Sequence, residues 1–222
     1  MDGRGGAGLE PELSDSIGIA VLFPQNRSLR DPFRLVRGLA QRFVALGGEI
    51  RRGAVAGFDR SDRISAVRLV GGDPVVADKV VICAGAHSGL LSKMLGEPMP
   101  LETERGYHTQ IMSPGISMRH SIIWPARAFM VTPTAGGIRV GGTVEMAGLD
   151  AAPDYRRSKI TVRRAQTALP NLRCENFSEW MGHRPAFPDT VPVVSASAKV
   201  PGVFMPPATG ISGSPMRRQP PG

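Results

Sequence analysis

A short apolar run that ends in small residues is the sequence feature that most constrains the fold of this chain. Residues 79–83 read Lys-Val-Val-Ile-Cys, and Ala84, Gly85 and Ala86 follow directly. An apolar run of this length without polar alternation is typical of a strand buried on both faces of a parallel sheet. Small residues at its end leave room for a ligand beside the backbone. Taken alone, Ala-Gly-Ala is equally compatible with a tight turn.

Helix and strand patterns precede this run. After Asp31-Pro32, apolar residues recur at spacings of three and four, and Gly47-Gly48 supplies a stop. This periodicity predicts an amphipathic helix with a proline in its first turn. Strands are predicted next at residues 49–55, 64–69 and 75–77, the last two joined by a glycine-rich hairpin turn.

The pattern changes between residues 100 and 148, where proline and glycine interrupt several strand-length segments. Such punctuation is typical of an antiparallel sheet. Its strands are predicted at residues 107–112, 121–124, 129–132 and 138–143. A helix is predicted from Tyr155 to Leu169, ended by Pro170, and a last strand with its turn from Glu179 to Pro185.

Composition and charge argue against several classes of protein. The 222 residues are 41% hydrophobic, which is typical of a globular protein. The formal net charge is +8, but the arginines are scattered and only 5% of the residues are aromatic, so nucleic-acid binding is not indicated. Cys83 and Cys174 have neither zinc-site spacing nor the pattern of a disulfide framework, which favours a reducing compartment.

Targeting signals are not apparent. No apolar run approaches the roughly 20 residues needed to cross a bilayer. The N-terminus lacks the basic and apolar regions of a signal peptide. We therefore expect no transmembrane segment and a cytoplasmic protein, at most peripheral to the inner membrane.

The order of the motifs resembles one family of flavoproteins. The Asp-Pro helix precedes a strand that contains Val55, and the apolar run with its small residues follows. Then come Arg105-Gly106-Tyr107, Gly182-His183-Arg184-Pro185 and the segment Pro188-Asp189-Thr190-Val191-Pro192. Together these motifs resemble the FAD-dependent D-amino-acid dehydrogenases, glycine oxidases and sarcosine oxidases, over about residues 9–205.

The resemblance implies a fold class and a domain division. The class is α/β, of mixed α+β type, with an incomplete doubly wound FAD-binding domain interleaved with an antiparallel-sheet substrate domain. The implied segments are a substrate-domain lead-in at 1–30, parts of the FAD-binding domain at 31–90 and 183–204, the substrate-binding domain at 91–182, and an irregular tail at 205–222.

The resemblance also implies the cofactor and its contacts. The cofactor is FAD, with the Val55 backbone at its adenine end and Ala84, Gly85 and Ala86 against it. Neither cysteine lies in the context that attaches flavin covalently, so FAD is expected to bind without a covalent link. No metal site is expected.

The substrate implied by the resemblance is an amino acid. Arg184 would hold its carboxylate in a bidentate ion pair, which suits a planar guanidinium. Tyr107 would supply a hydroxyl to the same pocket, although a lone tyrosine is more often a packing residue. No catalytic side chain is nominated, because the flavin itself takes a hydride from the carbon that bears the amine. The imine product hydrolyses to a 2-oxo acid and ammonia.

Two stretches depart from the family. A Gly-x-Gly-x-x-Gly turn that would hold the FAD pyrophosphate is not found, and the glycines at residues 3–8 lack a preceding strand. After Phe204 the family continues with a Gly-His-Gly segment and a helix, whereas the proline-rich tail here cannot form a helix. Suitable codons for the tail, read one nucleotide earlier, encode Gly-His-Gly-His. We therefore predict a frameshift near Phe204, which the gene sequence would test.

Three functions remain open on the sequence alone. The first is a truncated FAD-dependent enzyme that oxidises the CH–NH group of an amino acid. The second is an inactive remnant or a subunit completed by a partner chain that carries the FAD loop. The third is a non-catalytic module that binds small carboxylates. A doubly wound sheet without its first strand and helix exposes apolar surface, so self-association or such a partner chain is expected.

Overall fold

The computed structural model describes residues 8–189, 191 and 193–205. The chain divides into two compact units. Unit 1 comprises the described residues within Met1–Ile50, Gly106–Glu145 and Ala152–Gly182, and unit 2 those within Arg51–Arg105, Met146–Ala151 and His183–Gly222. The domain division inferred from the sequence stays a prediction. The tail from residue 206 onward, with the proposed frameshift, lies outside the described residues.

Helices and strands alternate through both units. In chain order they are α1 (Pro32–Ala45), β1 (Val55–Arg60), β2 (Ile64–Leu69), β3 (Val75–Val76), β4 (Val80–Val81), α2 (Ser88–Met94), β5 (Glu102–Ile111), β6 (Ile122–Trp124), β7 (Phe129–Thr134), β8 (Gly137–Glu145), α3 (Arg156–Ala168), β9 (Phe177–Ala186), β10 (Ser195–Ala196) and β11 (Val203–Met205). Single 3-10 turns lie at Gly85–His87 and Pro125–Arg127. Among these helices, none is both long enough and apolar enough to cross a membrane.

The largest sheet has five strands in the order β6-β7-β8-β5-β9. β7 pairs antiparallel with both β6 and β8. β5 runs opposite to β8, because Gly137 approaches the carbonyl of Ile111 whereas Gly141 approaches that of Tyr107. The antiparallel sheet predicted from the proline and glycine punctuation is therefore confirmed.

One face of this sheet carries the core of unit 1. Phe129 and Val131 in β7 are buried while Met130 between them is exposed, the alternation expected of a strand with one covered face. Helix α3 packs against β7 and β8 with Val162, Ala165 and other small or medium side chains. The full core set is Ile111, Met118, Phe129, Val131, Ile138, Val140, Val162, Ala165, Ala168, Leu169 and Leu172.

Unit 2 contains two three-stranded sheets. The first has the order β1-β2-β3 with antiparallel pairs, and the second has the order β10-β11-β4. In the second sheet β11 is parallel to β4 and antiparallel to β10. Ile64 of the first sheet shares a core with Ile82 and Val203, and its N–H donates to the Pro201 carbonyl at 3.1 Å. The parallel pairing predicted for the apolar run is confirmed. The burial predicted for both of its faces is wrong, since Val81 is 58% exposed.

Helix α1 also confirms a prediction, but its surroundings are unexpected. Asp31 caps the helix by accepting the N–H of Arg34 at 2.9 Å, and Pro32 occupies the first turn. None of its residues is buried. Phe33 remains 74% exposed and Leu39 62% exposed, so the apolar side of this amphipathic helix faces open space.

Two strand predictions require correction. Residues 49–54 form no strand, and β1 begins only at Val55, where its partner Leu69 ends β2. The residues before Val55 lie outside the register of β1 with β2, because β2 ends at Leu69. The apolar run is likewise a strand only at Val80–Val81, because its neighbour β11 is only three residues long. Helix α2 and strands β10 and β11 were not predicted.

Candidate functional site

The turn that follows β4 forms one side of the candidate site in unit 2. Ile82 still belongs to the strand ladder, since its N–H donates to the Phe204 carbonyl at 3.0 Å. Ile82 and Ala86 are buried, whereas Cys83 and Gly85 face outward. The core therefore anchors the turn, and its outer surface carries only small side chains.

Gly85 gives this turn its particular shape. Its φ of +56° lies in the left-handed region, which favours glycine. A Cβ built on Gly85 would meet no atom within 4 Å, so the residue borders open space. The 3-10 turn begins at Gly85, and helix α2 follows it at Ser88. A short parallel strand, a left-handed glycine and a helix start together form a surface that a ligand can approach at the backbone.

Val55 lies in the same unit but in the other sheet. It is the first residue of β1 and pairs with Leu69, and the neighbouring Ala54 carbonyl accepts the N–H of Val70 at 2.9 Å. Its side chain is half-buried. The end of α2 is tied to β1, because Arg60 donates to the Leu95 carbonyl at 2.9 Å.

Arg184 lies on β9 and is exposed. It forms no hydrogen bond or ion pair with any residue that the structure describes, so its guanidinium is free for an anionic ligand. His183 precedes it, and neighbouring side chains in a strand point to opposite faces. Arg184 therefore extends from the strand face opposite to His183.

His183 links the strand of Arg184 to the turn. Its Nδ1 lies 3.0 Å from the hydroxyl of Thr103 on β5. Its ring meets the His87 ring edge to face, with 6.1 Å between the centroids. His87 directly follows Ala86, so the structure places the predicted cofactor turn next to the strand that bears Arg184. The sequence motifs assigned no role to His87, His183 or Thr103, although strand alternation could have singled out His183.

Tyr107 belongs to unit 1 and is 1% exposed. Its hydroxyl donates to Oε2 of Glu145 at 2.5 Å and accepts the N–H of Asp154 at 3.0 Å. Oε1 of Glu145 lies 3.3 Å from Nε of Arg157. The hydroxyl thus lies within a buried polar network, and its contact with a substrate stays a prediction.

A glycine in β8 brings Glu145 to this network. Val140 faces the core, and strict alternation would place Glu145 on the opposite face. Gly142 interrupts the alternation with a φ of +143°. A Cβ at this position would lie 2.5 Å from the Cα of Phe129, so only glycine fits.

The two cysteines differ in their surroundings. Cys83 is a free, exposed thiol in the turn, and Cys174 is a free thiol that is half-buried in unit 1. Burial, followed by the charge of Glu179, raises the pKa of the Cys174 thiol. Within the described residues, no group of three or more His, Cys, Asp or Glu side chains could hold a metal ion.

Comparison with known proteins identifies the family. The family model described as DAO, FAD dependent oxidoreductase, matches residues 4–217. The chain belongs to the DAO family of FAD-dependent oxidoreductases. This confirms the family inferred from the order of the sequence motifs.

Relatives of this DAO-family chain carry names of amino-acid enzymes. A D-amino-acid oxidase of Bradyrhizobium diazoefficiens is 35% identical over 190 residues, which cover 83% of this chain and 45% of that protein. A D-amino acid dehydrogenase 3 of Mesorhizobium japonicum is 30% identical over 207 residues, which cover 89% of this chain and 50% of that protein. The chain thus spans about half the length of the curated relatives it matches.

The fold agrees with this membership. The crystal structure of glycine oxidase from Bacillus cereus matches with a TM-score of 0.81 and 24% identity, covering 93% of this chain and 57% of that one. At this identity the match shows the fold. It confirms the predicted mixed α/β class, with the antiparallel sheet as one of its parts.

Proposed function

We propose that this chain supplies the flavin-facing turn and the substrate-binding arginine of an FAD-dependent oxidoreductase that acts on D-amino acids. The observation that carries the proposal is the contact, within unit 2, between the rings of His87 and His183. His87 directly follows the turn at Ala84–Ala86, and His183 directly precedes Arg184 in β9. The names of the two relatives, an oxidase and a dehydrogenase of D-amino acids, support the choice of substrate.

The residues of the turn fit a flavin cofactor. Gly85 borders open space in a left-handed conformation, and the small side chain of Ala84 leaves the adjoining backbone accessible. Ala86 points into the core, so it would contribute backbone rather than side-chain contact. Val55 would contribute the backbone of β1 to the adenine end. Neither cysteine lies in the context that attaches flavin covalently, so the proposed FAD binding is non-covalent.

The side chains of this chain mainly orient the substrate. When bound, FAD supplies the acceptor for a hydride from the carbon that bears the amine. Arg184 binds the substrate carboxylate through two parallel N–H donors and so fixes the position of that carbon. His183, held by Thr103, fixes the strand at the residue before Arg184. The imine product takes up water and yields a 2-oxo acid and ammonia.

A second arrangement, completion by further polypeptide, is favoured by one observation. Helix α1 presents Phe33, Leu39 and Phe43 to open space, and each is at least half exposed. An apolar stripe of this kind is typical of an association surface. We infer that the active protein covers this stripe by self-association or with a chain that carries the pyrophosphate loop.

The flavin part of the proposal is tested by absorbance between about 350 and 500 nm, the region of flavin absorption. We expect the purified chain to shift the spectrum of added FAD. Gly85→Ala should weaken binding because alanine resists the left-handed backbone, at a cost of about 1–2 kcal/mol in stability. Gly71→Ala is the matched control, since Gly71 has a φ of +68° and also borders open space, in the β2–β3 turn.

Three results decide the flavin test. Loss of FAD binding in Gly85→Ala with retention in Gly71→Ala supports the proposal. If the two variants lost FAD binding equally, the loss would reflect a general decrease in stability. The proposed role of the turn would then be overturned. No spectral change with the unmodified chain would overturn flavin binding by this chain and favour a remnant or a carboxylate-binding module.

The substrate part is tested by bleaching of the bound flavin with D-alanine. Arg184→Lys keeps the charge but loses the two-pronged geometry, so the D-alanine concentration for half-maximal bleaching should rise by about tenfold or more. Arg163→Lys is the control, because Arg163 is exposed on α3. Once the unmodified chain binds FAD, an unchanged concentration in Arg184→Lys would contradict the assignment of Arg184.

A further inference from the structure

Unit 1 contains a cavity of about 670 Å³ that the proposed function does not use. Residues 9, 10, 13 and 16–23 form one wall, and residues 120–125, which include β6, form the other. Most of the lining is apolar and includes Leu13, Ile17, Phe23, Ile122 and Trp124. A volume of this size suits a small organic ligand.

One carboxylate lies at this cavity and is almost fully buried. Glu10 lines the cavity, yet its side chain is only 5% exposed. Its Oε1 accepts three hydrogen bonds, from the N–H of Arg119 at 2.8 Å, from the N–H of His120 at 2.5 Å and from Nδ1 of His120 at 2.8 Å. Its Oε2 is buried and accepts none from the residues that the structure describes. Among the described residues, hydrogen bonds therefore stabilise the carboxylate charge at Oε1 alone.

His120 contacts this carboxylate and also lines the cavity. Because Nδ1 donates to Glu10, the neutral imidazole leaves Nε2 as its acceptor. The side chain is 44% exposed and lines the cavity, so it is accessible to a ligand. The buried carboxylate behind the imidazole favours a cation beside the ring.

The charge of the lining is negative, in contrast to the chain as a whole. Among the described residues that line the cavity, Glu10 and His120 are the only titratable ones, and none is Lys or Arg. The whole chain carries a formal net charge of +8. The negative charge at this cavity is thus a local feature and not a consequence of composition.

We propose that this cavity binds a primary amine that carries an apolar substituent. The ammonium group donates to the imidazole of His120, and the Glu10 carboxylate behind it supplies the countercharge. The substituent lies against the apolar walls. A carboxylate ligand would be repelled by Glu10, and a neutral apolar ligand would leave the charge unbalanced. The proposal does not depend on flavin binding.

The test measures binding of n-hexylamine, hexan-1-ol and hexanoate to the full, flavin-free chain by calorimetry. These probes share an apolar chain and differ in the head group. We expect n-hexylamine to bind most tightly, hexan-1-ol more weakly and hexanoate least. Glu10→Gln should weaken n-hexylamine binding by about tenfold or more, since the glutamine oxygen still accepts from Arg119 and His120 but carries no charge.

The control is Glu12→Gln. It removes the same charge from a residue two positions further along the chain, whose side chain does not line the cavity. It should bind n-hexylamine as the unmodified chain does. If Glu10→Gln does not fold, His120→Phe keeps the ring volume, removes the acceptor and should also lose n-hexylamine binding. Equal binding of all three probes, no saturable binding, or unchanged n-hexylamine binding in the folded variant would overturn the proposal.

Discussion

Helices α1 and α3 belong to the same unit and have nearly the same length, 14 and 13 residues, but they differ in what they bury. α1 carries the larger apolar side chains, including Phe33, Leu39 and Phe43, and buries none of them. α3 is rich in arginine and buries small or medium side chains, among them Val162 and Ala165. The helix with more apolar surface is therefore the less buried one.

The difference shows what an amphipathic pattern does and does not predict. Periodicity in sequence predicts a helix and its apolar side, but burial depends on a complementary surface. α3 finds that surface on β7 and β8. The described residues offer none to α1. Full burial of a Leu or Phe side chain stabilises a protein by about 1.5–3 kcal/mol, so α1 is where added polypeptide would contribute most.

The largest expected effect comes from placing a charge on each helix. Val162→Asp should lower the free energy of unfolding by about 3 kcal/mol or more, because the carboxylate would lie unpaired in the core. Leu39→Asp should cost less than about 1 kcal/mol, since Leu39 is exposed. Urea denaturation of the two variants measures the difference. A comparable loss in Leu39→Asp would mean that the apolar side of α1 is buried in solution.

The N-terminal caps provide a smaller, more local test. The Asp31 side chain caps α1, whereas Tyr155 at the start of α3 provides no side-chain cap. With no buried side chains to hold it, α1 should depend on its cap, and Asp31→Ala should destabilise it by about 1 kcal/mol. Amide hydrogen exchange in residues 32–45 measures the change. The control is Asp62→Ala, which changes an exposed turn residue. Equal amide exchange in residues 32–45 of the two variants would contradict the dependence of α1 on its cap.

The two helices also show how much of the fold could be predicted. Both were predicted within one or two residues, since caps, prolines and periodicity are local signals. The strand predicted at residues 49–55 was wrong because a strand needs a partner, and β2 ends opposite Val55. The sequence of residues 50 to 53 carried no local signal that the strand would begin only at Val55.

Some features of the candidate site could likewise be seen in the sequence, and others could not. The small residues around Gly85 and the Gly-His-Arg-Pro motif were visible in the sequence, and the family resemblance implied the role of Arg184. The contact between His87 and His183 was not, since it joins residues far apart in the chain. The partner of the Tyr107 hydroxyl was equally hidden, because Glu145 lies 38 residues further along the chain.

The smallest expected effect concerns the acidic residues that precede the two helices. Asp31 accepts a backbone N–H at the start of α1, whereas Asp154 also accepts from the Arg156 guanidinium, with Nε–Oδ1 and Nη2–Oδ2 distances of 2.8 Å. The hydrogen bonds from Arg156 are the main cause that lowers the pKa of Asp154 from 3.8 to about 2. A carboxyl whose pKa is lower in the folded state stabilises the fold above its unfolded pKa.

This contribution should therefore be present above about pH 4 and disappear as the pH falls toward 2. An NMR titration of the Asp154 carboxyl carbon should give a midpoint near pH 2. In Arg156→Gln the midpoint should rise toward 3.8, while Arg163→Gln on the same helix should leave it unchanged. Because the pair is accessible to solvent, the effect on the unfolding temperature should be small and should shrink with added salt. A midpoint near 3.8 in the unmodified chain would show that Arg156 does not hold Asp154, and that α3 begins without the ion pair that distinguishes it from α1.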